Sequence, residues 1–298
     1  AAEERLTGGH AAGGRDARIE HAKEEMRALL SDLPPSAVDA HIARGYPSYW
    51  LSFDADTHAW HARIAHEAES RSEPLTIKNR IDRFKGVTEI TIYADDHPGL
   101  FSRIAGAMAV SGANIVDAKI FTMADGMALD TFWVQDENGA PFDRADKLAR
   151  LYARIDQTLA GRLRPRDELK KDDGVSSRMR VFKVAPRVLI DNEVSRTHTV
   201  IEVNGRDRKG LLYDLTRALS SLNLQIASAH ISTFGETAVD VFYVKDVFGL
   251  QVTHDSRLNQ IRETLLAVMV QDNDAVADGA RPPGDAGTSV AAEVSAAE

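Results

Sequence analysis

Apolar residues follow two alternating spacings along this chain. Between residues 88 and 94 they recur at every second position, with Ile90 and Ile92 on one face, which predicts a strand. Elsewhere they recur at every third or fourth position, which predicts a helix. The resulting order is a strand at 88–94, a helix at 98–111, strands at 114–123 and 127–136, and a helix at 143–160. This β-α-β-β-α order is the beginning of a ferredoxin-like βαββαβ unit.

The same pattern returns in the second half of the chain. Residues 96–101 (Asp-His-Pro-Gly-Leu-Phe) correspond to residues 207–212 (Asp-Arg-Lys-Gly-Leu-Leu), an offset of 111 positions between the two aspartates. The later elements are strands at 197–203, 225–233 and 238–246 and helices at 209–222 and 256–270. Matching elements at one spacing indicate two copies of one folding unit, here named copy one and copy two.

The remaining segments complete the predicted organisation. Helical spacing at 19–30, 36–43 and 57–71 predicts short helices before copy one. The predicted division is a helical segment at 1–85, copy one with a connector at 86–190, copy two at 191–271 and a tail at 272–298. The tail is rich in Ala, Gly, Pro and acidic residues, which predicts disorder. The predicted fold class is α+β, with tandem ferredoxin-like βαββαβ domains preceded by a short all-helical segment.

Each βαββαβ unit needs a fourth strand after its second helix, and the tail offers copy two none. The connector contains two apolar runs, at 181–184 and 187–190, separated by Pro186. We hypothesise that the first run completes copy one and that the second provides the missing edge strand of copy two. Pairing of residues 188–190 with copy one would contradict this hypothesis.

Composition excludes several classes of function. The net charge of −9 argues against a dedicated nucleic-acid surface, which usually needs a basic face. The absence of cysteine rules out disulfides and thiolate chemistry, and it fits a cytoplasmic protein. No run of about 18 apolar residues is present, so we expect no membrane span.

The repeated motif resembles that of the ACT domain. In both copies an aspartate, two variable residues and a glycine are followed by Leu-Leu or Leu-Phe at a helix start, and Asn-Ile or Gln-Ile opens the next strand. ACT domains are ferredoxin-like regulatory modules that bind amino acids, and they often pair their sheets edge to edge. The resemblance therefore implies amino-acid binding and ACT–ACT pairing.

At full length the resemblance is more specific. The tandem motifs, together with residues 44–51 (Arg-Gly-Tyr-Pro-Ser-Tyr-Trp-Leu), resemble the C-terminal region of bifunctional PII uridylyltransferase/uridylyl-removing enzymes over residues 1–270. The resemblance implies that the ACT pair senses L-glutamine. High glutamine would favour removal of the uridylyl group from the signalling protein PII, and low glutamine its addition. It also implies that the helical segment follows an HD domain.

The catalytic motifs of that family are not found in this sequence. The transferase site needs a Gly-Ser dipeptide, which is absent, and a later Asp-x-Asp that holds Mg²⁺. Asp54-Ala55-Asp56 lacks the upstream strand and turn, and His254-Asp255, at a predicted helix start, is typical of capping rather than of an HD site. We therefore predict no catalytic residue and no cofactor in this chain. Mg²⁺ and the catalytic domains are expected in an N-terminal extension of the parent enzyme, and an activity of the chain itself is disfavoured.

The loops that precede the first helix of each copy are the candidate ligand sites. A helix N-terminus offers free amides to a carboxylate, and Asp96 or Asp207 could accept a hydrogen bond from an amino group. The alternative is that both aspartates only cap their helices. Asn114 and Gln225 open the following strands, where ordinary turn chemistry also explains them. The candidate ligand-binding residues are Asp96, Pro98, Gly99, Leu100, Asn114, Asp207, Gly210, Leu211 and Gln225.

Two further alternatives remain open. The chain could be a stand-alone amino-acid-binding or dimerisation module that controls no enzyme. His58 and His61 lie one helical turn apart and His66 lies nearby, which would suit a metal, but a solvated helix face is favoured because no ligand is clearly spaced to complete the site. We therefore predict no metal site.

Overall fold

The computed structural model describes residues 3–172, 185–234 and 237–274. The helices are α1 (Glu3–Ala28), α2 (Pro35–Arg44), α3 (Pro47–Trp50), α4 (Ala55–Arg71), α5 (Leu100–Ser111), α6 (Ala145–Leu159), α7 (Pro165–Asp172), α8 (Leu211–Ser221) and α9 (Asp255–Asp274). The strands are β1 (Leu75–Asp82), β2 (Val87–Asp95), β3 (Asn114–Lys119), β4 (Met127–Gln135), β5 (Arg187–Asp191), β6 (Thr199–Arg206), β7 (Gln225–Phe234) and β8 (Thr237–Lys245).

The strands form one sheet that runs through both copies. Its order is β1-β2-β4-β3-β7-β8-β6-β5, and neighbouring strands are antiparallel. The two copies join where β3 meets β7, with Ala118 opposite Ala229. The α+β class and the edge-to-edge pairing of two ACT-type units are therefore confirmed.

The edge strand of copy one differs from the prediction. Strand β1 pairs with β2 along its whole length, so residues 75–82 belong to the sheet rather than to the predicted helical segment at 1–85. Residues 181–184, predicted to fill this position, lie outside the described residues. A short turn with Gly86 at φ +67° joins β1 to β2, and a hairpin of this kind closes with little loss of chain entropy.

The edge strand of copy two confirms the other half of the hypothesis. Strand β5 pairs with β6, with Val188 opposite Val203, and both side chains are buried. In both copies the edge strand thus precedes the unit, and the chain order is ββαββα. The spatial order of the four strands remains that of a ferredoxin-like sheet.

Helices on one face of the sheet bury a core that is shared by the two copies. Ile104 of α5 and Phe132 of β4 belong to the same apolar cluster as Leu215 of α8 and Phe242 of β8. Helices α5 and α8 also contact each other directly. The copies therefore pack as one body through helices as well as through strands.

The opposite face of copy one is covered by α1 to α4. Their buried residues, including Tyr49 and Trp50, pack on Phe121 and Leu129 of copy one. At the other end of the chain, α9 continues to Asp274, and residues 275–298 of the predicted tail lie outside the described residues. In the described part of the chain, no helix has the length and apolar character needed to cross a membrane.

The histidines of α4 do not form a solvated face as predicted, because His58 and His61 are fully buried. The Oη atom of Tyr49 lies 2.9 Å from Nε2 of His41 and 3.2 Å from Nδ1 of His61, whose Nε2 lies 3.0 Å from Oγ1 of Thr131 in copy one. The hydrogen bonds of this network offset part of the cost of removing the imidazoles from water. Among the described residues no group of three or more His, Asp or Glu side chains is placed to hold a metal ion.

Candidate ligand-binding site

A pocket of about 380 Å³ lies where the two copies meet. Copy two contributes the loop at 207–210 and the first turn of α8. Copy one contributes Asn114 at the start of β3 and the turn at 136–139. Four of the nine candidate residues line this one pocket, namely Asn114, Asp207, Gly210 and Leu211.

The loop of copy two is shaped by Gly210. Its φ of +80° belongs to the left-handed region, and the Leu211 amide donates to the Arg208 carbonyl at 3.0 Å to begin α8. Helix α7 packs on this glycine so closely that an added Cβ would lie 2.9 Å from Cδ1 of Leu169. Arg208 is drawn back over the helix start, where its Nη2 donates to Oδ2 of Asp214 at 2.7 Å.

The copy-one wall of the pocket is a tight turn. The carboxylate of Asp136 accepts backbone hydrogen bonds from Asn138 at 2.9 Å and from Ala140 at 3.0 Å. These bonds hold the pKa of Asp136 below its usual range. The turn places backbone and carboxylate groups in the same pocket as the loop of copy two.

The loop of copy one does not line this pocket, and the candidates outside it are Asp96, Pro98, Gly99, Leu100 and Gln225. Oδ2 of Asp96 accepts a hydrogen bond from Oγ1 of Thr122 at 2.5 Å, and Gly99 is the residue that precedes α5. The side chain of Asp96 therefore bonds to a neighbouring loop. Gln225 lies exposed at the start of β7.

Sequence reasoning missed a buried aspartate beneath each loop, Asp130 in copy one and Asp240 in copy two. Burial raises the pKa of Asp240 to about 7, the charge of Asp207 adds to the rise, and a backbone hydrogen bond from Ser232 opposes it. Burial also raises the pKa of Asp130 well above its usual range, with the charge of Asp96 adding to it. The missed signal is an aspartate at the same inward position of an alternating strand in both copies.

Comparison with known proteins identifies one family model and several similar sequences. A family model described as an ACR9-like, ACT-like domain matches residues 187–274, which include β5. Bifunctional uridylyltransferase/uridylyl-removing enzymes are 57% identical in Azospirillum brasilense, 54% in Gluconobacter oxydans and 46% in Rhodospirillum rubrum. The alignments cover 88–89% of this chain.

The chain is similar to one region of these enzymes, and that region contains an ACT-like domain. It spans about 28% of the length of the three relatives. Among solved structures, an aspartate kinase from Synechocystis aligns at 17% identity over 64% of this chain and 27% of that chain, and its TM-score of 0.33 is too low to bear on the fold.

Proposed function

We propose that this ACT pair is the glutamine-sensing regulatory region of a cytoplasmic bifunctional uridylyltransferase/uridylyl-removing enzyme. The observation that supports the proposal is the pocket between the copies, because a ligand there contacts both copies at once. Such a ligand favours whichever arrangement of the two copies holds it best. A coupling of about 1–3 kcal/mol between ligand and catalytic domains is typical of such control.

The polar groups of the pocket suit an α-amino acid. The N-terminus of α8 offers backbone amides and the positive end of a helix dipole to the ligand's carboxylate. Asp207 supplies a negative charge for the ammonium group, and Asn114 supplies an amide that can both donate to and accept from a carboxamide side chain. A volume of about 380 Å³ is at the small end of ligand pockets, which run to roughly 1,000 Å³.

In the whole enzyme, the helices on the other face of the sheet would transmit the effect of ligand binding to the catalytic domains. Helices α1 to α4 pack on copy one, so a shift between the copies would move them relative to copy two. In this proposal they carry the change to the catalytic domains, where Mg²⁺ acts and where PII is the protein substrate.

Calorimetric titration of the chain with L-glutamine tests the proposal, with L-glutamate and L-leucine as controls for selectivity. We expect glutamine-selective heat that Asp207→Ala removes and that the matched variant Asp96→Ala retains, because only Asp207 lines the pocket. Absence of heat with every amino acid, from a chain that melts cooperatively, would contradict the proposal.

A second candidate function is assembly. The outer edges of the eight-stranded sheet are β1 and β5, and an open edge can pair with another chain. If the chain is a dimerisation module, analytical ultracentrifugation would show a dimer whose dissociation constant does not change when amino acids are added.

A further inference from the structure

The carboxyl group of Asp240 is the most unusual polar group of the pocket. The residue lines the pocket and is only 2% exposed. Its Oδ1 finds no hydrogen-bond partner among the residues that the structure describes. A buried carboxylate oxygen without a partner is costly, and such groups are concentrated at functional sites.

The neighbours of Asp240 explain why its charge is unfavourable without a ligand. Val203 of β6 and Ile231 of β7 lie opposite it in the sheet, and both are buried and apolar. From β7 the backbone of Ser232 hydrogen-bonds to the carboxyl group, and from the loop Asp207 adds a negative charge. Two acids thus converge on one end of the pocket, where a cation would stabilise both.

The other charged or titratable side chains that line the pocket are Asp136, Glu137, Arg208, Lys209 and Tyr213. Asp136 is engaged by the backbone of its own turn. Arg208 is paired with Asp214, and Lys209 is exposed to solvent.

We propose that Asp240 receives the ammonium group of an α-amino acid in this pocket and that the amino acid binds with release of the proton that Asp240 otherwise holds. This inference rests on the proposed function, and it deepens it by naming the residue that recognises the amino group. The ligand's carboxylate lies at the N-terminus of α8 and its ammonium group between Asp207 and Asp240. Ammonium compounds without a carboxylate would then use only one end of the site.

Proton release makes binding depend on pH. With a pKa of about 7 for Asp240, most of the protein at pH 6 carries a proton where the ammonium group must bind. The apparent affinity falls in proportion to the ionised fraction, so Kd at pH 6 should be about tenfold weaker than at pH 8. Near pH 7 each bound ligand should release about half a proton.

Copy one provides a matched control. Asp130 occupies the equivalent position and is 1% exposed, but it does not line the pocket. Its Oδ1 accepts a hydrogen bond from the Phe121 amide at 3.3 Å. Asp130→Asn and Asp240→Asn therefore make the same chemical change in the two copies.

The test is calorimetric titration with L-glutamine at pH 6, 7 and 8 in phosphate and in Tris, whose protonation heats differ. For the wild type and Asp130→Asn we expect tenfold tightening between pH 6 and pH 8 and buffer-dependent heat at pH 7. For Asp240→Asn we expect binding at least tenfold weaker at pH 8, no dependence on pH and no dependence on buffer. Thermal melting verifies that the variant folds, and it should melt higher than the wild type at pH 8 because it removes a buried charge.

The outcomes separate this inference from the proposed function. Wild-type binding of glutamine that Asp240→Asn leaves unchanged in affinity and in pH dependence would overturn the inference and leave the function standing. Wild-type protein that binds no amino acid at any pH would overturn both. Equal losses in Asp130→Asn and Asp240→Asn would also overturn it, because the recognition would then not belong to the pocket.

Discussion

At the scale of single residues, Gly210 controls how closely α7 approaches the candidate site. An alanine there must adopt a left-handed φ and also displace Leu169, whose Cδ1 would lie 2.9 Å from the new Cβ. We expect Gly210→Ala to lower the free energy of unfolding by more than the strain alone, which is about 1–2 kcal/mol, and to weaken glutamine binding. Chemical denaturation and calorimetric titration measure the two effects.

Gly99, the equivalent residue of copy one, distinguishes the effect of backbone strain from the effect of the contact with α7. Gly99 has a φ of +84°, but the nearest neighbour of an added Cβ is Oγ of Ser102 at 3.6 Å. Gly99→Ala should therefore show the strain alone and should retain binding. Leu169→Ala should restore part of the stability that Gly210→Ala loses, and a strictly additive double variant would show that the contact with α7 does not matter.

At the scale of elements, the buried histidines make the packing of α2 and α4 on copy one sensitive to acid. Burial lowers the pKa of His41 to about 3, with the charges of Arg44 and His58 adding to the effect. Burial also lowers the pKa of His61 well below its usual range. The neutral imidazoles stabilise the fold above the unfolded-state pKa of 6.5, and this contribution is lost as pH falls from 6.5 towards 3, because only the unfolded chain binds the protons readily.

Between pH 7 and pH 5 the free energy of unfolding should fall by roughly 2 kcal/mol because of His41, and His61 should lower it further in the same direction. Denaturation followed by the fluorescence of buried Trp50 would measure it. A neutral side chain in His41→Gln should reduce this pH dependence, whereas His66→Gln, on the same helix as His61 but only half-buried, should leave it unchanged. Identical pH dependence in all three proteins would refute this role of the histidines.

Local pattern predicted most of the elements, but pairing between elements decided the rest. The alternation of each copy and the run at 187–190 predicted seven of the strands, because these signals are local in the sequence. Strand β1 was missed because it carries Lys78 and Arg80 between few apolar residues and follows a helix and a proline. Its place in the sheet depends on the hairpin with β2.

The residues of the candidate site were likewise predicted where the signal is local and missed where it depends on pairing between elements. The motif predicted Asp207, Gly210 and Leu211, because a helix start after a strand can be read locally. The motif could not show that the equivalent loop of copy one lies outside the pocket, since this depends on how β3 meets β7. Asp240 was missed because a charged residue in an alternating strand is normally assigned to the solvent face.

At the scale of the whole molecule, the shared core predicts that both copies unfold together. Ile104 in copy one and Leu215 in copy two are fully buried in the same cluster. Truncating either to alanine should lower the free energy of unfolding by about 2–5 kcal/mol. In differential scanning calorimetry both variants should shift the same transition, because neither copy can lose its core without exposing that of its neighbour.

A ligand held in the pocket binds only when both copies are folded, so its binding free energy adds to the cooperativity that the shared core supplies. Val194→Ala serves as the control, because Val194 is 65% exposed and its truncation should leave the melting temperature nearly unchanged.

Two separate transitions, with Ile104→Ala shifting one and Leu215→Ala the other, would show that the copies are joined by the sheet but not by a common core. A single transition that L-glutamine raises in the wild type, and raises less in Asp207→Ala, would connect the pocket to the stability of the whole body.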